Sequence, residues 1–142
     1  NLHYRFRRTL VVGFSLFGLM ASGCGEAPPK THAVTGKVVF SGGETAQLVG
    51  HSVELALVSD PTVRAYGTIG DDGRFTVETY EAGKQLSGAQ AGTYEARFVI
   101  VDEGDGQKKK PKVAPRFLQF KTSGWSVTVP PTTDVTLTVS AK

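Results

Sequence analysis

Apolar and polar residues alternate with a period of two through most of the chain beyond residue 32. In HAVTGKVVF (32–40), Val34, Gly36, Val38 and Phe40 fall on one side and Thr35 and Lys37 on the other. In HSVELALV (51–58), Val53, Leu55 and Leu57 alternate with Ser52, Glu54 and Ala56. GRFTVETY (73–80) sets Phe75, Val77 and Thr79 against Arg74, Thr76 and Glu78, and TYEARFVIV (93–101) sets Tyr94, Ala96, Phe98 and Ile100 against Glu95 and Arg97. GWSVTVP (124–130) and DVTLTVSA (134–141) repeat the pattern through Trp125, Val127, Val129 and then Val135, Leu137, Val139. Such alternation marks strands with one buried and one wet face. RAYGTI (64–69) reads as a shorter strand, and RFLQF (116–120) carries a weaker alternation.

Turn chemistry falls between these runs. SGGET (41–45) and DDGR (71–74) place Gly where a tight turn takes a positive φ, and Asp71-Asp72-Gly73 between two strand-like runs predicts a hairpin. Residues 81–91 and 103–112 read as loops, and no stretch carries a helical stripe over three turns. About seven short strands separated by turns predict a single antiparallel β-sandwich over residues 32–142. Phe75, Tyr94, Phe98 and Trp125 are its expected large core residues.

The first 31 residues follow another pattern. Arg5, Arg7 and Arg8 precede a nearly unbroken apolar run from Leu10 to Met20, and small residues Ala21, Ser22 and Gly23 follow. A charged start, a short apolar stretch and a small-residue cleavage site have the layout of an export signal over residues 1–23. The run is shorter than the roughly 20 apolar residues of a membrane-spanning helix. Cys24, the one cysteine of the chain, stands directly after it. A disulfide has no partner here, a structural zinc site takes about four ligands, and a catalytic thiol needs a framed pocket and a base. Residues 24–31 continue as a tether in which Pro28 and Pro29 favour an extended spacer.

Charge changes its meaning once the leader is set apart. The 142 residues hold 16 Lys and Arg against 13 Asp and Glu. Removing the three arginines of the leader leaves the two signs equal, so the basic balance gives no argument for nucleic acid as a partner.

Ala21-Ser22-Gly23-Cys24 resembles the lipobox of bacterial lipoproteins, with Ala21 where that family most often has Leu. The resemblance implies cleavage between Gly23 and Cys24 and a lipid on the Cys24 thiol. Each buried CH₂ of such a lipid contributes about 0.8 kcal/mol, so Cys24 would hold the domain on a membrane. Four further pieces resemble small planctomycete-type lipoproteins with a carboxypeptidase-regulatory-like (transthyretin-like) β-sandwich. They are Val34–Gly42, the Asp71-Asp72-Gly73-Arg74-Phe75 hairpin, Gly88-Ala89 with Ala91-Gly92-Thr93-Tyr94, and Pro115-Arg116-Phe117 with Thr122-Ser123-Gly124-Trp125. Ala91 replaces a Pro of that family, Phe117 a Tyr and Trp125 a Leu. The resemblance implies an exported, lipid-anchored domain of the cell envelope, on the periplasmic face or the outer membrane, without catalytic residues of its own.

Candidate chemistry in the rest of the chain is sparse. His32 and His51 read as solvated histidines at strand ends, without HExxH spacing. Asp71 and Asp72 precede a Gly, as hairpin residues do, and fall short of the alternating oxygens of a calcium loop. No G-x-S-x-G or phosphate-binding loop occurs, and Thr122-Ser123-Gly124 reads as a turn. Lys108, Lys109, Lys110 and Lys112 form the sharpest charge run and are candidate contacts for an anionic surface, where each lysine adds about 1 kcal/mol. Tyr80 lies on the polar side of its strand and is a further candidate contact, as is Tyr66, whereas Trp125 reads as core. The expected function is a non-catalytic binding or structural module, with no metal or other cofactor. It would act as a monomeric domain on an envelope protein or glycan. The alternative is a small hydrolase or metal-dependent enzyme using His51 and loop acids.

Overall fold

The structure, a computed structural model, describes residue 25, residues 27–102, residue 104 and residues 110–141. The expected leader, Gly23, Cys24, Lys108 and Lys109 lie outside the described residues. The rest is all-β. Ten strands follow one another: β1 (Thr31–His32), β2 (Thr35–Ser41), β3 (Ser52–Leu57), β4 (Arg64–Thr68), β5 (Arg74–Glu81), β6 (Lys84–Ser87), β7 (Ala89–Gln90), β8 (Gly92–Val99), β9 (Ser126–Val129) and β10 (Val135–Ser140).

Eight of them form one hydrogen-bonded assembly rather than two separate sheets. Its path runs β10-β2-β5-β4-β3-β8-β9, with β6 added beside β5. The expectation of a wholly antiparallel sandwich is corrected in two respects. The path is continuous and barrel-like, and its β10–β2 pair is parallel, from Val135 opposite Gly36 to Ser140 opposite Ser41. The continuity comes from β5. Its first residues, 74–76, pair with β2, while residues 77–79 pair with β4 and residues 78–81 pair with β6. One long strand thus joins the β10–β2 part of the path to the part that runs through β4, β3, β8 and β9. β1 and β7 make a separate two-stranded pair that joins Thr31 to Gln90 and His32 to Ala89, so pairing begins at the last residue of the expected tether.

The predicted parity fills the core. Val34, Val38, Phe40, Val53, Leu55, Phe75, Val77, Tyr94, Ala96, Phe98, Val127, Val129, Leu137 and Val139 are buried together. Each large apolar side chain so buried contributes about 1.5–3 kcal/mol. Phe75 lies across its neighbours, because β2 and β4 present Gly36 and Gly67 to it. A Cβ at Gly36 would stand 2.5 Å from both the ring and the Val135 carbonyl oxygen. The hairpin predicted at 71–74 forms: the Gly70 and Arg74 backbones bond, the Arg74 N–H donates to Asp72 Oδ1 at 2.9 Å, and Gly73 takes φ +79°.

Three local expectations are corrected. Residues 81–91, read as loop, contain β6 and β7. Residues 116–120, read as a weak strand, are a 3₁₀ turn (Pro115–Leu118) running into a one-turn helix, α1 (Phe120–Ser123). Pro115 suits the first position of such a turn, and Gly124 closes α1 in the left-handed region. Trp125 is half-buried, with its ring 5.3 Å from that of Phe117.

Candidate functional site

The register that builds the core also sorts the opposite face of the sheet. Val53 and Leu55 of β3 pair with Gly67 and Ala65 of β4 and with Phe98 and Ala96 of β8. Glu54, between them, is therefore flanked by Tyr66 on one side and Arg97 on the other. Expected on the wet side, Glu54 is only 5% exposed. A buried carboxylate is tolerated when paired and hydrogen-bonded, and Glu54 has two cations. Arg64 Nη1 donates to Oε1 at 2.9 Å and Arg97 Nε donates to Oε2 at 2.5 Å. Arg64 Nε also donates to the Pro61 carbonyl at 2.6 Å.

Phe120 covers this cluster. The Arg64 and Arg97 guanidinium carbons lie 4.6 and 4.8 Å from the centre of its ring, within cation–π range. The ring is placed by the segment around α1. Ser123 Oγ donates to the Ala96 carbonyl of β8 at 2.6 Å and accepts the Trp125 N–H at 3.1 Å, and Thr122 Oγ1 donates to the Arg116 carbonyl at 2.7 Å. Lys121 Nζ meets Glu95 Oε1 of β8 at 3.0 Å. The turn expected at Thr122-Ser123-Gly124 is thus the fastening of α1, and the Ser123 hydroxyl is committed to backbone.

Beside the cluster lies a cleft of 270 Å³. Val58, Pro61 and Phe120 supply apolar lining, and Arg64, Arg97 and the Glu95–Lys121 pair supply charge. Both arginine side chains keep about a third of their surface open, 34% and 36%. Glu54 cancels one of their charges, and the Glu95–Lys121 pair is neutral, so one positive charge remains. Tyr66 rests against the same carboxylate. Partial burial, then the charge of Glu54 and a hydrogen bond to it, raise its phenol above the ordinary value of 10.0. A wider recess of 510 Å³ lies between Ala27–Pro29 and the β5–β6 hairpin. Its charged lining is one Glu81 and one Lys84, so it lacks convergent chemistry.

The residues singled out from sequence do not gather at the cleft. Tyr80 stands 59% exposed near the end of β5. Lys110 pairs with Asp102 at 3.0 Å, and Lys112 is exposed. Tyr80 and these lysines share no bond among the described residues. His51 corrects the expectation of a solvated histidine: it is 9% exposed, its ring packs edge-on against Phe98 at 5.7 Å, and its Nδ1 accepts the Val101 N–H at 3.1 Å. His32 lies in β1. Asp71 and Asp72 remain hairpin residues, and no three His, Cys, Asp or Glu side chains gather as metal ligands among the described residues.

Sequence reading missed Glu54, Arg64, Arg97 and Phe120 as a unit. Its signal was present only in pieces: Glu54 and Arg97 sit on the polar parity of strands that prove to be neighbours. Comparison with family models, with curated proteins and with solved structures finds no match to this chain.

Proposed function

We propose that this chain is an exported, lipid-anchored domain of the cell envelope that binds a protein or glycan partner without catalysing a reaction. The observation that carries the binding reading is the arginine pair fixed by Glu54 beside an apolar ring. Two guanidiniums held by a buried carboxylate lose little side-chain freedom on meeting a partner, and such preorganisation favours recognition. Anchoring rests on the leader pattern and the small residues before Cys24. The likeness to small planctomycete-type lipoproteins with a transthyretin-like sandwich belongs to the same proposal, and the all-β architecture supports it. Gly25 after the cysteine lacks the Asp that retains some lipoproteins on the inner membrane, which favours onward transport. Ala27, Pro28 and Pro29, which the reading takes as part of the tether, line a recess with Glu81, Ala82 and Lys84 of the β5–β6 hairpin. The reading built on His51 as an enzyme is less favoured, because one ring nitrogen already serves the backbone.

The test is the intact mass of the full chain expressed in a lipoprotein-processing host and extracted from membranes, with Cys24→Ser in parallel. The expected mass is that of residues 24–142 plus a diacylglyceryl group, absent in the variant. A soluble, unlipidated product cut near Gly23 overturns the anchor. Cross-linking capture from envelope fractions then tests the binding role, and an Arg97→Gln variant that captures the same partners equally well removes the cleft from it.

A further inference from the structure

Resting on the binding reading above, we infer that the cleft beside Arg64 and Arg97 takes an organic carboxylate carried on an apolar arm, as a peptide partner presents at an acidic side chain or its C-terminus. The donors point to the charge. A guanidinium has five N–H groups in a planar fork that matches a carboxylate. Arg97 spends Nε on Glu54, and Arg64 spends Nε on Pro61 and Nη1 on Glu54. Arg64 Nη2 and both Nη groups of Arg97 have no hydrogen bond to a described residue, and both side chains are open to solvent over a third of their surface.

Net charge points to a single carboxylate. Glu54 is almost fully enclosed and already accepts from both arginines, so it lowers the cleft to one surplus positive charge while locking the two forks in place. Glu95, 33% exposed and paired with Lys121, disfavours a more highly charged anion at the same mouth. The lining points to the arm. Val58 is 53% exposed although it sits in a concave surface with Pro61 and Phe120. That wall offers apolar contact and few hydrogen bonds, which suits a hydrocarbon side chain better than a sugar ring.

The experiment titrates the full, lipid-bearing chain in detergent with N-acetylphenylalanine, with its amide, and with inorganic phosphate. It follows the Nε–H signals of Arg64 and Arg97 by nitrogen–proton NMR. The acid is expected to shift both signals saturably. The amide should bind on the order of tenfold more weakly, as loss of a charge-assisted fork contact implies. Val58→Glu lies outside the Glu54 ion pairs and sets a negative charge at the mouth. It should weaken the acid by a similar factor while leaving the spectral dispersion of the folded domain intact. Equal binding of acid and amide, absence of a saturable shift, phosphate binding as tightly as the acid, or indifference to Val58→Glu would each overturn the inference. Envelope partners captured by a chain that ignores the acid would leave the binding role standing and remove only the carboxylate.

Discussion

A carboxylate enclosed on the outer side of a sheet is stable only where its charge is met, and Glu54 meets it with Arg64 and Arg97 across both neighbouring strands. Its sequence position gives it away only in part. Alternation places Glu54 on the face opposite Val53 and Leu55, which is correct, but its two arginines are covered by Phe120, 66 residues further along the chain. Gly36 is the reverse case. Alternation marks it as inward, and the structure supplies the reason, since the Phe75 ring and the Val135 carbonyl occupy the space of a side chain. Gly36→Ala is expected to destabilise the fold by about 1–3 kcal/mol through overpacking. The check is a lower urea midpoint at an unchanged m-value, which separates lost stability from an altered unfolded state.

Among the elements, the turn between β9 and β10 is fastened from outside. Asp134 Oδ1 accepts from Thr35 Oγ1 of β2 at 2.6 Å, and its Oδ2 pairs with Arg74 of β5. The Thr35 hydrogen bond first, and then Arg74, hold the Asp134 carboxyl below its ordinary value of 3.8. A depressed folded value adds stability that is present above the ordinary pKa and is lost as pH falls through the folded one. Asp134→Asn is therefore expected to lie below the parent in thermal midpoint at neutral pH, with the gap closing as pH falls below that range. A gap independent of pH would assign the turn's stability to packing instead. The β5–β6 hairpin was not legible because its turn is unusual. Ala82 and Gly83 both take positive φ, +48° and +74°, as a two-residue hairpin turn requires, but Ala is a poor signal for that geometry. RFLQF misled in the other direction, because Phe117 and Phe120 face different surroundings at a spacing of three rather than two. Phe117 is buried beside Trp125, and Phe120 lies over the arginines.

At the scale of the whole molecule, two tyrosines link the core and the outer face to alkaline pH. Burial pushes the phenol of Tyr94 up, with its hydroxyl donating to the Gln90 carbonyl at 2.9 Å, and Tyr66 is raised by partial burial and by Glu54. Both folded values lie above the ordinary 10.0. Above that pH the unfolded chain gives up its phenolic protons first, so stability is expected to fall as pH rises through the folded values. Urea midpoints measured upward from pH 8 should decline beyond about pH 10, and Tyr66→Phe should make that decline shallower. A decline unchanged by Tyr66→Phe would place the alkaline sensitivity elsewhere. The sequence by itself determined the all-β class, the inward set of side chains and the hairpin at Asp71–Arg74, because period-two alternation and turn residues act over a few neighbours. Only the tertiary structure decided that β10 runs parallel to β2, that β5 pairs with both β2 and β4 to make one continuous path, and that Glu54, Arg64, Arg97 and Phe120 meet. These features depend on which distant strands pair and in what register, and alternation is the same whichever neighbour a strand is given.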